Sequence, residues 1–163
     1  MKKAVCILIC LAMLFLMTGC SQADVQSANT VHFYYIHNEL EYGTESGVVA
    51  PTVIDVQYDE SDYQLLLEKY LNGPTNHELI SPFPAGITLE DFQIVGEKAL
   101  LVLSPHMGTL TGSSMTVALA CLTRTVIEMT GVNAVQIRIE NQQINGADII
   151  TLTLNNFSLW DDV

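Results

Sequence analysis

The apolar run from Ala4 to Met17 limits the folded part of this chain to the residues that follow it. Two lysines precede the run and a small Thr-Gly pair follows it, which is the pattern of a secretion signal. As a helix, a run of this length would extend about 21 Å, less than the roughly 30 Å of a bilayer core. We therefore expect residues 1–19 to be a signal peptide and residues 31–163 to form one domain.

The end of this signal, Leu16-Met17-Thr18-Gly19-Cys20, resembles the lipobox of bacterial lipoproteins, although a lipobox favours Leu where Met17 stands. The resemblance implies that cleavage leaves Cys20 as the first residue, joined to diacylglycerol through a thioether. Two acyl chains are sufficient for stable anchoring. Residues 20–30 would then be the lipidated cysteine and a flexible tether, with the protein on the outer face of the cell membrane. The alternative is an ordinary signal peptide with an incidental cysteine.

The cysteine count excludes two ways of stabilising the fold. Cys6 and Cys10 leave with the signal and Cys20 carries lipid, so Cys121 remains alone. A single cysteine supports neither a disulfide framework nor a cysteine-rich zinc site. The domain must be held together by packing, and we expect Cys121 to be a buried structural thiol because it falls on an apolar helix stripe.

The charge balance is strongly acidic. The formal net charge is −12, and loss of Lys2 and Lys3 leaves four basic residues against 18 acidic ones. Such a surface repels phosphodiesters, so we expect no nucleic-acid partner. The ordinary interpretation is that the negative charge keeps the protein soluble. The other interpretation is that it attracts a basic partner or divalent cations.

The clearest helix prediction covers the segment before Gly73. Ser61 and Gln64 have the spacing of a capping box at its start, Gly73 supplies a left-handed stop, and Pro74 prevents continuation. Its apolar residues recur at i, i+3, i+4, i+7 and i+8, which predicts one buried stripe: Tyr63, Leu66, Leu67, Tyr70 and Leu71.

A stiff loop is predicted from Ser81 to Gly86. Pro82 and Pro84 fix φ on either side of Phe83, and each disfavours helix in the residue before it. The predicted result is an extended passage that presses Phe83 onto the core.

A hairpin around Gly96 joins the predicted strands Leu89–Val95 and Ala99–Leu103, and a second helix is predicted from about Ser113 to Thr130. The main apolar stripe of this helix contains Met115, Ala118, Leu119, Leu122, Val126 and Met129. A weaker second stripe predicts either cover on both sides or a partner surface, and it contains Val117, Ala120 and Ile127.

The remaining patterns predict a first strand at Val31–His37, a short edge strand at Thr52–Val56, and a strand at Val135–Ile139 that turns at Asn141 and returns over Asp148–Leu154. Leaving out the short edge strand, the order is β-α-β-β-α-β-β. This order predicts an α+β fold, a two-layer sandwich in which one mixed β-sheet carries both helices on one face.

No catalytic or cofactor motif emerges from the sequence. It contains no Walker loop, no G-x-G-x-x-G and no G-x-S-x-G. His32 and His37 differ by an odd number within one strand, so they face opposite ways and cannot share a metal, while His77 and His106 fall in predicted loops. We therefore expect no enzyme activity, no cofactor and no metal site.

With both helices and the proline loop placed, the chain resembles the GerMN domain of sporulation and spore-germination lipoproteins of Gram-positive bacteria. The family pattern is a helix ending Leu-x-Gly-Pro, then Leu-x-Ser-x-x-Pro-x-Gly. It is matched here by Leu71-Asn72-Gly73-Pro74-Thr75 and by Leu79-Ile80-Ser81-Pro82-Phe83-Pro84-Ala85-Gly86. The resemblance implies a fold like the ring-building domains of sporulation channel proteins. It also implies a structural role for Gly73, Pro74, Ser81, Pro82, Pro84 and Gly86.

The function implied by this resemblance is non-catalytic: a membrane-anchored scaffold or assembly lipoprotein with envelope or sporulation proteins as partners. The alternative is a general extracytoplasmic binding module for peptide, glycan or cation that has no part in sporulation. A hydrolase is a third possibility that the spacing of the polar residues does not favour.

Overall fold

The computed structural model describes residues 30–38, 49–55 and 62–160 of the 163-residue chain. The predicted signal peptide, Cys20 and most of the tether lie outside these residues and stay predictions. So does the capping residue Ser61. The extent of the single domain, residues 31–163, stays a prediction too.

The chain forms an α+β fold, as predicted. The strands are β1 Thr30–His37, β2 Val49–Asp55, β3 Leu79–Ile80, β4 Leu89–Val95, β5 Lys98–Leu103, β6 Ala134–Ile139 and β7 Ile150–Leu152. The helices are α1 Tyr63–Leu71 and α2 Gly112–Thr130, with 3-10 helices at Pro105–Thr109 and Leu154–Trp160. Within the described ranges, neither α-helix combines the length and the apolar character that a bilayer crossing requires.

A mixed four-stranded sheet forms the larger layer, in the order β4-β5-β6-β7. β5 and β6 run parallel, and the other two pairs are antiparallel. α2 is the crossover that a parallel pair requires, and it packs against β6. The core face of this sheet is supplied by alternate residues of β5 and β6: Ala99, Leu101, Leu103, Val135, Ile137 and Ile139.

The helix ends follow the sequence signals more closely than the helix starts. Gly73 follows α1 with φ +94° and Gly131 follows α2 with φ +72°, both in the left-handed region that favours glycine. The predicted capping box is not tested, because Ser61 lies outside the described residues. α1 begins after Asp62, whose side chain makes no capping hydrogen bond, and the Gln64 Nε2 donates instead to Glu68 one turn later at 3.0 Å.

The prediction of one sheet is also wrong, because β1 belongs to a second sheet in the order β2-β1-β3. β3 is only two residues long and pairs with β1 only at Ile36 and His37. Beside Tyr34, helices take the place of a strand. The amide of Tyr34 donates to Thr125 Oγ1 on α2 at 3.1 Å, and its carbonyl accepts from the Tyr70 hydroxyl on α1 at 2.7 Å. α2 therefore contacts both sheets.

Pro51 lies inside β2, whereas the prediction started this strand at Thr52. Its register partner is Tyr34, whose amide and carbonyl both bond to side chains on the helices. The pair is therefore of the non-hydrogen-bonded kind, in which both backbones point away from each other. The Pro51 nitrogen faces the outer edge of an edge strand, where a missing N–H costs nothing.

An aromatic cluster joins the first sheet to α1. Tyr70 is fully buried, and its ring centroid lies 5.0 Å from that of Phe33 and 5.1 Å from that of Tyr35. Phe83 meets Tyr70 at 5.2 Å with the rings nearly perpendicular, a favourable geometry. The predicted burial of Phe83 is thus confirmed.

Candidate functional site

The glycine and serine of the sequence motif lie against each other. A Cβ built on Gly73 would be 3.4 Å from the Ser81 Cβ, an ordinary contact distance, so the end of α1 lies beside the start of the loop. The Ser81 Oγ accepts a hydrogen bond from the Phe83 amide at 3.2 Å. These two residues therefore set the path of the loop that delivers Phe83 to the core.

The second half of the loop meets the segment after β5. Pro82 is buried and Pro84 is half-buried. Gly86 has φ +80°, and a Cβ on it would lie 3.6 Å from the His106 Nε2. The imidazole of His106 thus lies beside the glycine that ends the loop.

Ser104 and His106 have the residue types of a hydrolytic dyad, with the Ser104 Oγ 3.4 Å from the His106 Nδ1. Ser104 is only 4% exposed, and its Oγ accepts the amide of Thr88 at 3.0 Å. The Ser104 amide donates in turn to the Thr88 carbonyl at 3.0 Å. Ser104 therefore ties the start of β4 to the end of β5, an arrangement that serves structure.

Four polar side chains form what we call the β1–α2 cluster: His32, Tyr34, Arg124 and Glu128. The Tyr34 hydroxyl donates to the Glu128 Oε1 at 2.6 Å, and the His32 Nδ1 lies 3.2 Å from the Glu128 Oε2. Arg124 contacts the same carboxylate at 3.3 Å and places its guanidinium 4.6 Å from the centre of the Tyr34 ring, within cation–π range.

The polar contacts of this cluster hold β1 against α2. Tyr34 is 6% exposed, and its pKa is raised to about 12 by burial first and then by the hydrogen bond and charge of Glu128. The phenol therefore stays protonated at neutral pH and acts as a hydrogen-bond donor. The sequence contains only one hint of this cluster, the i, i+4 spacing of Arg124 and Glu128, because β1 and α2 are far apart in the chain.

The second stripe of α2 divides into two parts. Ala120 is only 4% exposed, because the rest of the fold covers this side of α2. Its predicted place in a partner surface is therefore wrong. Val117 and Ile127 are half-buried, and Ile127 packs against the core. Their part in a partner surface stays a prediction.

The remaining reactive groups do not converge. The Cys121 thiol is fully buried, as predicted, and burial raises its pKa to about 12, so it is a poor nucleophile. In the part of the chain that the structure describes, no three His, Cys, Asp or Glu residues lie close enough to hold a metal ion.

A family model matches this chain, and several solved structures share its fold. A family model described as sporulation and spore germination, named Germane, matches residues 32–145. The first GerMN domain of the sporulation protein GerM from Bacillus subtilis is 19% identical, with a TM-score of 0.58 over 77% of this chain and 96% of that domain. The tandem GerMN domains of the same protein are 16% identical, with a TM-score of 0.56 over 83% of this chain and 48% of the pair.

A third solved structure, a proposed lipoprotein from Clostridium perfringens, is 17% identical, with a TM-score of 0.50 over 78% of this chain and 88% of that one. At such identities the structures show a shared fold alone. No curated protein matches the chain. The family model, in contrast, matches well over half of the sequence and includes both the helix end at Gly73 and the proline loop. This chain belongs to the Germane family of sporulation and spore germination proteins.

Proposed function

We propose that this protein is a lipid-anchored extracytoplasmic lipoprotein whose GerMN-like domain acts as a non-catalytic assembly module in sporulation or spore germination. The observation that carries the proposal is the family match over residues 32–145. The anchor rests on the lipobox-like sequence that ends at Cys20. The description of the Clostridium perfringens structure as a proposed lipoprotein supports it.

The non-catalytic part of the proposal rests on what the motif residues do. Gly73 and Ser81 shape one loop end, and Gly86 lies beside His106 at the other. Ser104 is committed to the amide of Thr88 and buried. Each of these residues shapes or bonds the neighbouring backbone. A catalytic site, in contrast, needs exposed reactive side chains that converge on one point.

A deletion strain of a spore-forming host tests the role. We expect loss of heat-resistant spores or of germination when the gene is deleted, and recovery when the wild-type chain is restored. A Ser104→Ala chain is the catalytic control: it should fold less stably but restore spores when expressed at the wild-type level. Unchanged sporulation and germination in the deletion strain would contradict the proposal.

A further inference from the structure

We infer that a polar groove at the carboxyl end of β6 binds an uncharged saccharide that carries N-acetyl groups. The groove has a volume of about 580 Å³, within the range typical of small-molecule sites. It opens where β6 and β7 diverge, because their pairing stops at Ile137 and Ile150. The inference goes beyond the assembly role and does not depend on it.

The groove is lined mainly by side chains that both donate and accept hydrogen bonds. Asn141, Gln142 and Gln143 supply three amides, Arg138 a guanidinium, and Asp148 a carboxylate. Vicinal hydroxyls and acetamido groups need donors and acceptors side by side, which amides provide. One cation beside one carboxylate leaves the lining without excess charge, so a neutral ligand fits it better than a phosphate, which the net charge of −12 would repel.

Two of these amides are already held in place. The Gln142 Nε2 donates to the Pro105 carbonyl at 3.2 Å, and the close approach of this side chain leaves no room for a Cβ on Gly108. The Gln143 Nε2 donates to the Asp148 Oδ1 at 2.9 Å. The Gln143 side chain keeps its amide oxygen for a ligand, whereas the Gln142 oxygen packs against Gly108 and fixes that side chain as part of the wall. Side chains ordered in advance lose little entropy on binding.

An added peptide strand fits this groove less well. The amide of Gln142 donates to the Ile139 carbonyl, and the amide of Glu140 donates to Leu103, so the main chain here is bonded to its own turn and to β5. Recognition must therefore come from side chains. Ile149 lines the groove with 46% of its surface exposed and provides an apolar contact for the methyl of an acetamido group.

The test uses the purified full-length chain in detergent and the trisaccharide triacetylchitotriose as the probe. Saturation-transfer NMR should show the strongest transfer at the acetamido methyls, and calorimetry should give a saturable affinity. Asn141→Gly keeps the φ of +57° that Asn141 adopts and removes only the amide, so binding should weaken about tenfold, the equivalent of one hydrogen bond.

Gln143→Ala should have a similar effect, whereas Gln93→Ala should leave the affinity unchanged. Gln93 is an exposed amide on β4, at the opposite edge of the same sheet. Absence of transfer at millimolar trisaccharide would overturn the inference. Wild-type affinity in both the Asn141 and the Gln143 variants, or binding of a blocked trialanine peptide in place of the sugar, would also overturn it. None of these outcomes bears on the spore phenotype.

Discussion

Two buried threonines on α2 allow a test of how this fold provides hydrogen-bond partners for its buried backbone amides. Thr123 and Thr125 are both fully buried, but only one has a hydrogen-bonding role in the structure. The Thr125 Oγ1 accepts the amide of Tyr34, which no strand serves, while the Thr123 Oγ1 has no partner among the described residues. Replacing each threonine by valine should therefore change stability in opposite directions.

Thr125→Val leaves a buried N–H without an acceptor, which costs about 1–3 kcal/mol. Thr123→Val removes a buried hydroxyl that has no hydrogen bond, and such burial costs about 1–3 kcal/mol in protein mutational data. Valine keeps the shape and the β-branching of threonine, so helix propensity changes little in either variant. We expect the first variant to lose about 2 kcal/mol of unfolding free energy and the second to gain about 1 kcal/mol, within these ranges.

Urea unfolding followed by circular dichroism measures both changes. With a slope of about 1–3 kcal/mol per molar urea, the two midpoints should differ by about 1–3 M. The exposed Thr116 on the same helix is the matched control, since Thr116→Val should change stability by less than about 0.5 kcal/mol. Equal losses in the Thr123 and Thr125 variants would refute the view that α2 closes the edge of β1.

Three further predictions concern the loop, alkaline pH and the anchor. Gly73→Ala and Gly131→Ala should each cost about 1–2 kcal/mol of stability, by calorimetry, because both glycines have positive φ and a Cβ on Gly73 would make only an ordinary contact with Ser81. An unchanged stability in either variant would contradict the left-handed conformation of that glycine. Because the pKa of Tyr34 and that of Cys121 are each raised to about 12, both groups lose protons first in the unfolded chain, so their contribution to stability should be constant from about pH 7 to 8 and fall as pH rises from about 9 to 12. A urea midpoint that stays constant up to about pH 11 would rule out this linkage. Cys20→Ala should keep the full-length mass by mass spectrometry, and a trimmed, lipid-free wild type would exclude the lipobox.

Much of the fold is predictable because its signals are local. The ends of α1 and α2 follow from Gly73 and Gly131, which adopt the left-handed conformation that the sequence implied. The hairpin between β4 and β5 forms around Gly96 as predicted, and Asn141 turns the chain after β6 with φ +57°. Each of these features depends on a few neighbouring residues.

The features that the sequence did not reveal depend on pairs far apart in the chain. The second sheet arises because Tyr34 bonds to Thr125 and Tyr70, so no local pattern could separate β1 from the main sheet. The β1–α2 cluster and the polar groove have the same origin. The role of Glu128 depends on its hydrogen bond from Tyr34, and the placement of the Gln142 side chain depends on the absence of a Cβ at Gly108.

The closure of β1 by hydroxyl groups has a consequence for the order in which the domain comes apart. A strand held by a neighbouring strand frays residue by residue, but the amide of Tyr34 is released only when the helix carrying Thr125 separates from it. Hydrogen exchange at that one amide therefore reports the detachment of the whole N-terminal sheet. Pulling on the residues before Thr30 would load this hydrogen bond together with those that join Tyr34 to Tyr70 and Glu128, so β1 should leave the helices as one unit.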